Sequence, residues 1–142
     1  MQLALDLSLP AESRLLAAAR AVLAVCLREF GAPAGVVDDV ILATDEACTN
    51  VLRHAYPEGR ANNYVLRADL QQERIQIEVV DEGVGFDLMA KPPPRDDDGH
   101  LAPSGRGFEV MCRLMTSVEI ESPTPTGGTR LRLVRLLPPV GE

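Results

Sequence analysis

The sequence predicts a single α+β domain in which helices cover one face of a sheet. Three observations predict it. Apolar residues alternate with period two near both ends and in the middle of the chain, at 2–8, 62–70, 74–81, 118–121 and 129–137. Between these runs they recur at helical spacing, over 15–30, 35–55 and 108–115. The length, 142 residues, is that of one compact domain able to bury a substantial core.

Leu3, Leu5 and Leu7 alternate with polar or small residues, so the chain opens with a strand half-buried on one face. Pro10 suits the first turn of the helix that follows. Its apolar side is Leu15, Leu16, Ala19, Val22, Leu23, Cys26, Leu27 and Phe30, and Gly31 and Pro33 stop it. A second helix over about 35–55 carries Val37, Val40, Ile41, Thr44, Cys48 and Val51 as its apolar stripe, ended by Pro57 and Gly59. The strands at 62–70 and 74–81 are close enough for an antiparallel hairpin. Residues 91–104, with three consecutive prolines and three consecutive aspartates, read as an exposed irregular loop within the domain. Phe108, Met111, Leu114 and Met115 mark a short helix, and two last strands flank a turn at 123–128.

Composition narrows the function classes. At 46% hydrophobic and 25% charged residues, the chain is globular rather than disordered. A net charge of -7 argues against nucleic acid as a partner, because a phosphate-tracking protein needs a basic face. No apolar run has the length of a membrane span, and residues 1–9 lack the pattern of a secretory leader, so a cytoplasmic protein is expected. Cys26, Cys48 and Cys112 are widely spaced, each on an apolar face, and make neither a disulfide framework nor a zinc site.

Four short segments hold residues able to do chemistry. Glu46 and Asn50 lie one helical turn apart and reach one ligand together. A carboxylate and an amide oxygen are hard ligands for magnesium or its waters, and the carboxylate is also able to accept a proton. A solvated helix face is the alternative reading. Asp81 shares a strand face with Ile75, Ile77 and Val79, which puts a carboxylate where the pattern calls for core. A buried carboxylate needs a donor, either the exocyclic amine of adenine or a water or side chain of the protein. Gly83 and Gly85 let a flat ring or a phosphate approach the backbone, or simply make a turn. Gly105, Arg106 and Gly107 precede the short helix, whose free N–H groups suit an anion, and the alternative is a capped junction. Gly127, Gly128 and Thr129 read equally as a hairpin turn entering a strand.

Taken in order, these segments resemble the GHKL (Bergerat-fold) ATPases, the superfamily of gyrase-type ATPases and histidine-kinase catalytic domains, over about residues 10–136. The run Asp45, Glu46, Ala47, Cys48, Thr49, Asn50, Val51, Leu52, Arg53, His54, Ala55, Tyr56 is similar to the family's N box. Its His-Ala-Tyr ending is similar to the bacterial anti-sigma-factor serine/threonine kinases. Residues 79–87 resemble the adenine box, and Gly105 to Phe108 and Gly128-Thr129 resemble the later glycine and threonine elements. Phe108 stands where this branch commonly has an aliphatic residue, and the 91–104 loop is unusually rich in proline and aspartate.

The resemblance implies a two-layer α/β sandwich with a mixed, mostly antiparallel sheet, one ATP-binding kinase domain over 1–142, and a mobile ATP lid at about 91–104 hinged at Gly105 and Gly107. It implies ATP and Mg2+ as cofactors, Glu46 as general base, and Asn50 holding magnesium through phosphates or water. It assigns adenine recognition to Asp81, supported by Thr129, and places Arg53 on the Glu46 face, orienting the base or forming a surface ion pair. The expected activity is serine/threonine phosphotransfer to an anti-sigma antagonist, with sequestration of a sigma factor and a homodimer. A histidine kinase in the full sense needs a histidine-bearing dimerisation helix, and the two histidines here, His54 and His100, fall in the N box and the lid. The alternatives are a switch-type signalling kinase of the same fold and a non-catalytic nucleotide-binding module that sequesters a partner.

Overall fold

The computed structural model describes residues 1–55, 63–81, 103–125 and 127–138, and of residues 54, 55 and 103–106 the backbone alone. The chain runs β1 (Gln2–Pro10), α1 (Ser13–Phe30), α2 (Ala34–Asn50), a π-helical segment (Val51–Ala55), β2 (Asn63–Gln71), β3 (Arg74–Asp81), α3 (Pro103–Leu114), β4 (Ser117–Glu121) and β5 (Thr129–Leu136). The α+β class and the element order are those expected.

Three boundaries differ. Pro10 ends β1 opposite Asn63 instead of opening α1, because a proline without an N–H is tolerated on an edge strand. The second helix is α-helical only to Asn50, and the wider π-helical segment follows it. Pro103 and Ser104, expected in the loop, open α3, so Gly105 and Gly107 lie inside a helix rather than before it. A proline suits that first helical position, where its missing N–H costs nothing.

Among the described residues five strands form one sheet in the order β1-β2-β3-β5-β4 with every neighbouring pair antiparallel, where a mixed sheet was expected. β3 and β4 point the same way, but β5 lies between them and pairs antiparallel with both. The core lies between the sheet and the helices. Leu23 and Leu27 of α1 and Val40, Ala43, Ala47 and Cys48 of α2 are fully or almost fully buried. They pack over Leu66 and Leu70 of β2, Ile75, Ile77 and Val79 of β3, and Leu131 and Leu133 of β5.

α1 ends as its glycine predicts. Gly31 has φ 99°, its N–H donates to the Arg28 carbonyl, and the Ala32 N–H donates to the Leu27 carbonyl. This double closure satisfies carbonyls left open at a helix end. On the opposite, open face of the sheet, Asp6, Arg67, Glu78, Arg132 and Glu119 lie in register across all five strands, and their charges alternate. Neighbours in that row come within 3.4–3.6 Å at three of its four steps.

Candidate nucleotide site

Glu46 and Asn50 occupy consecutive turns of α2 and are both half-buried. What brings them into a site is α3. A Cβ built on Gly107 would lie 2.7 Å from Glu46 Oε2 and 3.9 Å from Asn50 Oδ1. The backbone of α3 is therefore seated on this carboxylate and amide pair, where a Cβ would press on the Glu46 carboxylate. Gly105 and Arg106 belong to the first turns of the same helix. With Pro103 lacking an N–H, the amides of 104–106 are those that a helix start leaves without an intrahelical acceptor. Glu46, Asn50 and Gly107 thus converge as expected, with the glycines forming a helix start instead of a hinge ahead of one.

Asp81 ends β3 with a relative exposure of 3%. In the register its neighbours are Tyr64 of β2 on one side and Thr129 of β5 on the other. The expected Asp81 and Thr129 pairing is present. Thr129 Oγ1 in turn lies 2.9 Å from Ser122 Oγ, a hydrogen bond in which either hydroxyl donates. The floor at this end of the sheet is accordingly a polar row, Tyr64, Asp81, Thr129 and Ser122, beside the apolar core.

Tyr64 and Ser122 were not singled out by the sequence reading. Tyr64 was within reach of it, since a hairpin turning at 72–73 sets 64 opposite 81, whereas the Ser122 contact crosses a turn of unpredictable shape. Burial pushes the Cys48 thiol up to about 12, despite the lowering influence of the Tyr64 hydroxyl and with a smaller raising contribution from Asp45. Burial likewise raises Tyr64, followed by the neighbouring Cys48 thiol. Among the described residues the buried Tyr64 and Thr44 hydroxyls meet no hydrogen-bond partner of good geometry.

Three expectations are not met or lie elsewhere. Arg53 is exposed in the π-helical segment, and among the described residues it forms no ion pair with Glu46. The π turn changes the spacing between 50 and 53 from that of an α-helix. Cys112 is exposed rather than on an apolar face, because Met111 and Met115 are the buried side of α3 and its exit; Phe108, one turn before Met111 on that same side, is still 37% exposed. Gly83, Gly85 and the 91–102 part of the proposed lid lie outside the described residues.

The donor set fits the expected groups. Carboxylate and amide oxygens are what magnesium and its waters take, and a buried carboxylate at a strand end suits an amine donor of a base. Among the described residues no group of three or more His, Cys, Asp or Glu could hold a metal by itself. That suits magnesium, which is usually held by one or two protein oxygens together with substrate phosphates. A separate cavity of about 380 Å³ at the opposite end of the sheet is lined by Phe30, Ala32, Pro33, Gln72 and Leu137 among others, with no acidic or basic side chain among the described residues. Among the described residues no helix is long and apolar enough to cross a membrane.

Comparison with known proteins places the fold in a family. The sequence profile of the histidine kinase-like ATPase domain matches residues 9–135. The serine-protein kinase RsbW of Bacillus cereus (strain Q1) is 30% identical over 122 residues, covering 82% of this chain and 76% of that protein. RsbW of Bacillus anthracis (strain CDC 684 / NRRL 3495) is similar to the same extent, at 30% over 122 residues. The structure of the RsbU and RsbW domains of Rv1364c from Mycobacterium tuberculosis shares the fold with a TM-score of 0.70 at 23% identity. That likeness covers 96% of this chain, which spans only 33% of the longer one. The histidine kinase domain of the blue-light activated histidine kinase from Erythrobacter litoralis EL346 shares it at a TM-score of 0.55 and 19% identity, over 84% of this chain and 60% of that one. With its sheet, its Glu46–Asn50 turn and its buried Asp81 in the matched span, the chain belongs to the histidine kinase-like ATPase family of ATP-binding domains and is related to the RsbW serine-protein kinases.

Proposed function

We propose that this chain is an ATP-dependent serine/threonine protein kinase that transfers the γ-phosphoryl group to an anti-sigma antagonist protein, and that it also sequesters a sigma factor, acts in the cytoplasm and pairs with a second copy. The observation that carries the catalytic part is the seating of Gly107 on Glu46 and Asn50, which brings a general base, a magnesium ligand and a phosphate-binding helix start to one point. A module that only sequesters a partner has no use for a carboxylate held there.

In this reading the Glu46 carboxylate accepts the proton of the acceptor hydroxyl as that oxygen attacks. Asn50 Oδ1 holds a water of the magnesium shell or the ion itself, and the 104–106 amides face the phosphates. Asp81 accepts a hydrogen bond from the adenine amine, with Thr129 held beside it by Ser122. Bound magnesium supplies charge neutralisation on the phosphate oxygens. The residues themselves contribute position and electrostatics, which is most of what phosphoryl transfer asks of a protein.

Calorimetric titration of magnesium-ATP tests the pocket. The wild type is expected to bind and Asp81→Asn to bind at least about 10-fold more weakly, the loss of a hydrogen bond to a charged group. Glu46→Ala is expected to lower transfer to a serine-bearing acceptor by roughly 10²–10⁴-fold while ATP affinity stays within about 3-fold. No binding by the wild type would move the reading to the sequestering module, and undiminished transfer by the Glu46 variant would remove the base.

A further inference from the structure

At the far end of α3 from the site, one arginine joins three elements. Arg135 of β5 rises from the helix-covered face of the sheet, and its Nη1 donates to Asp39 Oδ2 of α2 at 2.7 Å and to the Leu114 carbonyl of α3 at 2.6 Å. The carbonyl is one of those a helix end leaves open, and a cation there also meets the negative end of the helix dipole. The ion pair is half-buried on both sides, with 26% of the Arg135 and 35% of the Asp39 side chain exposed. Charge-assisted bonds in such a setting are stronger than a surface pair.

The spacing gives this contact a consequence at the site. Asp39 and Glu46 are seven residues apart on α2, and Leu114 and Gly107 are seven apart on α3. Each interval is two helical turns, about 10 Å at 1.5 Å per residue. α2 and α3 therefore run antiparallel and meet at two points, the Arg135 clamp and the seat of Gly107 on Glu46. The exit of α3 is further tied to β5, since the Thr116 N–H donates to the Val134 carbonyl at 2.7 Å and the Leu136 N–H donates to Thr116 Oγ1 at 2.9 Å. With that exit fixed to the sheet, the Arg135–Asp39 bond ties α2 to the same point, beside the packing of Met111 and Met115 in the core.

We propose that Arg135 is a positioning residue for nucleotide phosphate. By bonding Asp39 and the end of α3 together it sets how closely the Gly107 end of that helix approaches Glu46 and Asn50. The inference rests on the kinase reading for the identity of the ligand, but the clamp itself does not. Both bonds leave the one nitrogen Nη1, so lysine at 135 keeps the charge and the donors to replace them but presents them from a differently shaped head.

The test compares wild type, Arg135→Met, Arg135→Lys and the isosteric variant Asp39→Asn, the last removing the charge pair while keeping the shape of the side chain. ATP affinity is expected to fall about 5-fold in Arg135→Met and less in the other two. Adenosine affinity, which reads Asp81 and not α3, is expected to stay within about 2-fold. Amide exchange over 107–114 is expected to rise about 10-fold, with 19–27 of α1 unchanged as the internal control. A general loss of stability would weaken ATP and adenosine alike and speed exchange in α1 too, which overturns the proposal. So does faster exchange in α3 with ATP affinity unchanged. If the wild type binds no ATP, the kinase reading fails and this inference with it, while the exchange data still report whether the clamp exists. If Arg135→Met does not fold, Asp39→Asn decides by the same ratio.

Discussion

Gly107 shows how a single missing atom carries both stability and function. Within α3, alanine is favoured over glycine by about 0.5–1 kcal/mol, because glycine loses more backbone freedom on folding. Gly107 does not have positive φ and needs no glycine for its own backbone. The only obstacle to a Cβ is the tip of a flexible side chain, Glu46 Oε2 at 2.7 Å, which is free to swing away. Gly107→Ala is therefore expected to leave thermal stability unchanged or slightly raised while phosphotransfer falls roughly 100-fold, since moving a reacting group by about 1 Å costs that much. Thermal melting and transfer rate measured on the same sample check this, and a fall in both together would mean that the contact is one of packing. The pairing of Glu46 with Asn50 was legible in the sequence because i, i+4 neighbours meet on any helix. Their partnership with Gly107 is legible only through the family resemblance, because 61 residues separate Gly107 from Glu46 and nothing local records which helix face meets which.

At the scale of elements, what was readable followed local chemistry and what was missed followed context. The Leu3, Leu5, Leu7 alternation and the α1 stripe sufficed for β1 and α1, because each pattern has one period and one buried side. The proline at 10 was placed in the helix because its fixed φ suits a first turn, but an edge strand also accepts it, and only the Pro10↔Asn63 pairing decides between them. The π-helical segment at Val51–Ala55 has no sequence marker of its own. Gly31 is the opposite case, a boundary fixed by one residue. With φ 99° and nothing within 4 Å of a built Cβ, the cost of a side chain there is the left-handed backbone alone. Gly31→Ala is expected to destabilise by about 1 kcal/mol, a drop in Tm of about 4 °C, with nucleotide affinity unaltered because the cap lies at the end of the sheet opposite Asp81. Calorimetric melting with and without ATP checks both halves, and a change in affinity would show that the α1–α2 corner communicates with the site.

For the whole molecule, the two faces of the sheet behave as different materials. The open face carries the row of alternating charges from Asp6 to Glu119, solvated and individually weak. The covered face is dry enough to hold the Cys48 thiol protonated up to about 12 from an ordinary 9.0. That difference makes global stability depend on alkaline pH. The unfolded chain releases the Cys48 proton near 9, whereas the folded chain keeps it to about 12, so the folded state binds more protons between these values. The thiol's contribution is fully present below pH 9 and is lost as pH rises toward 12, amounting to a few kcal/mol on the order of one pKa unit per 1.4 kcal/mol. Urea unfolding at pH 8, 9, 10 and 11 is expected to show this decline in the wild type and a shallower one in Cys48→Ala, whatever that variant loses in packing at pH 8. Equal slopes in the two proteins would place the thiol in contact with solvent. The same burial predicts that at pH 8 alkylation labels the exposed Cys112 and spares Cys48 until the protein unfolds, so the rate of Cys48 labelling reports opening of the core beneath α2.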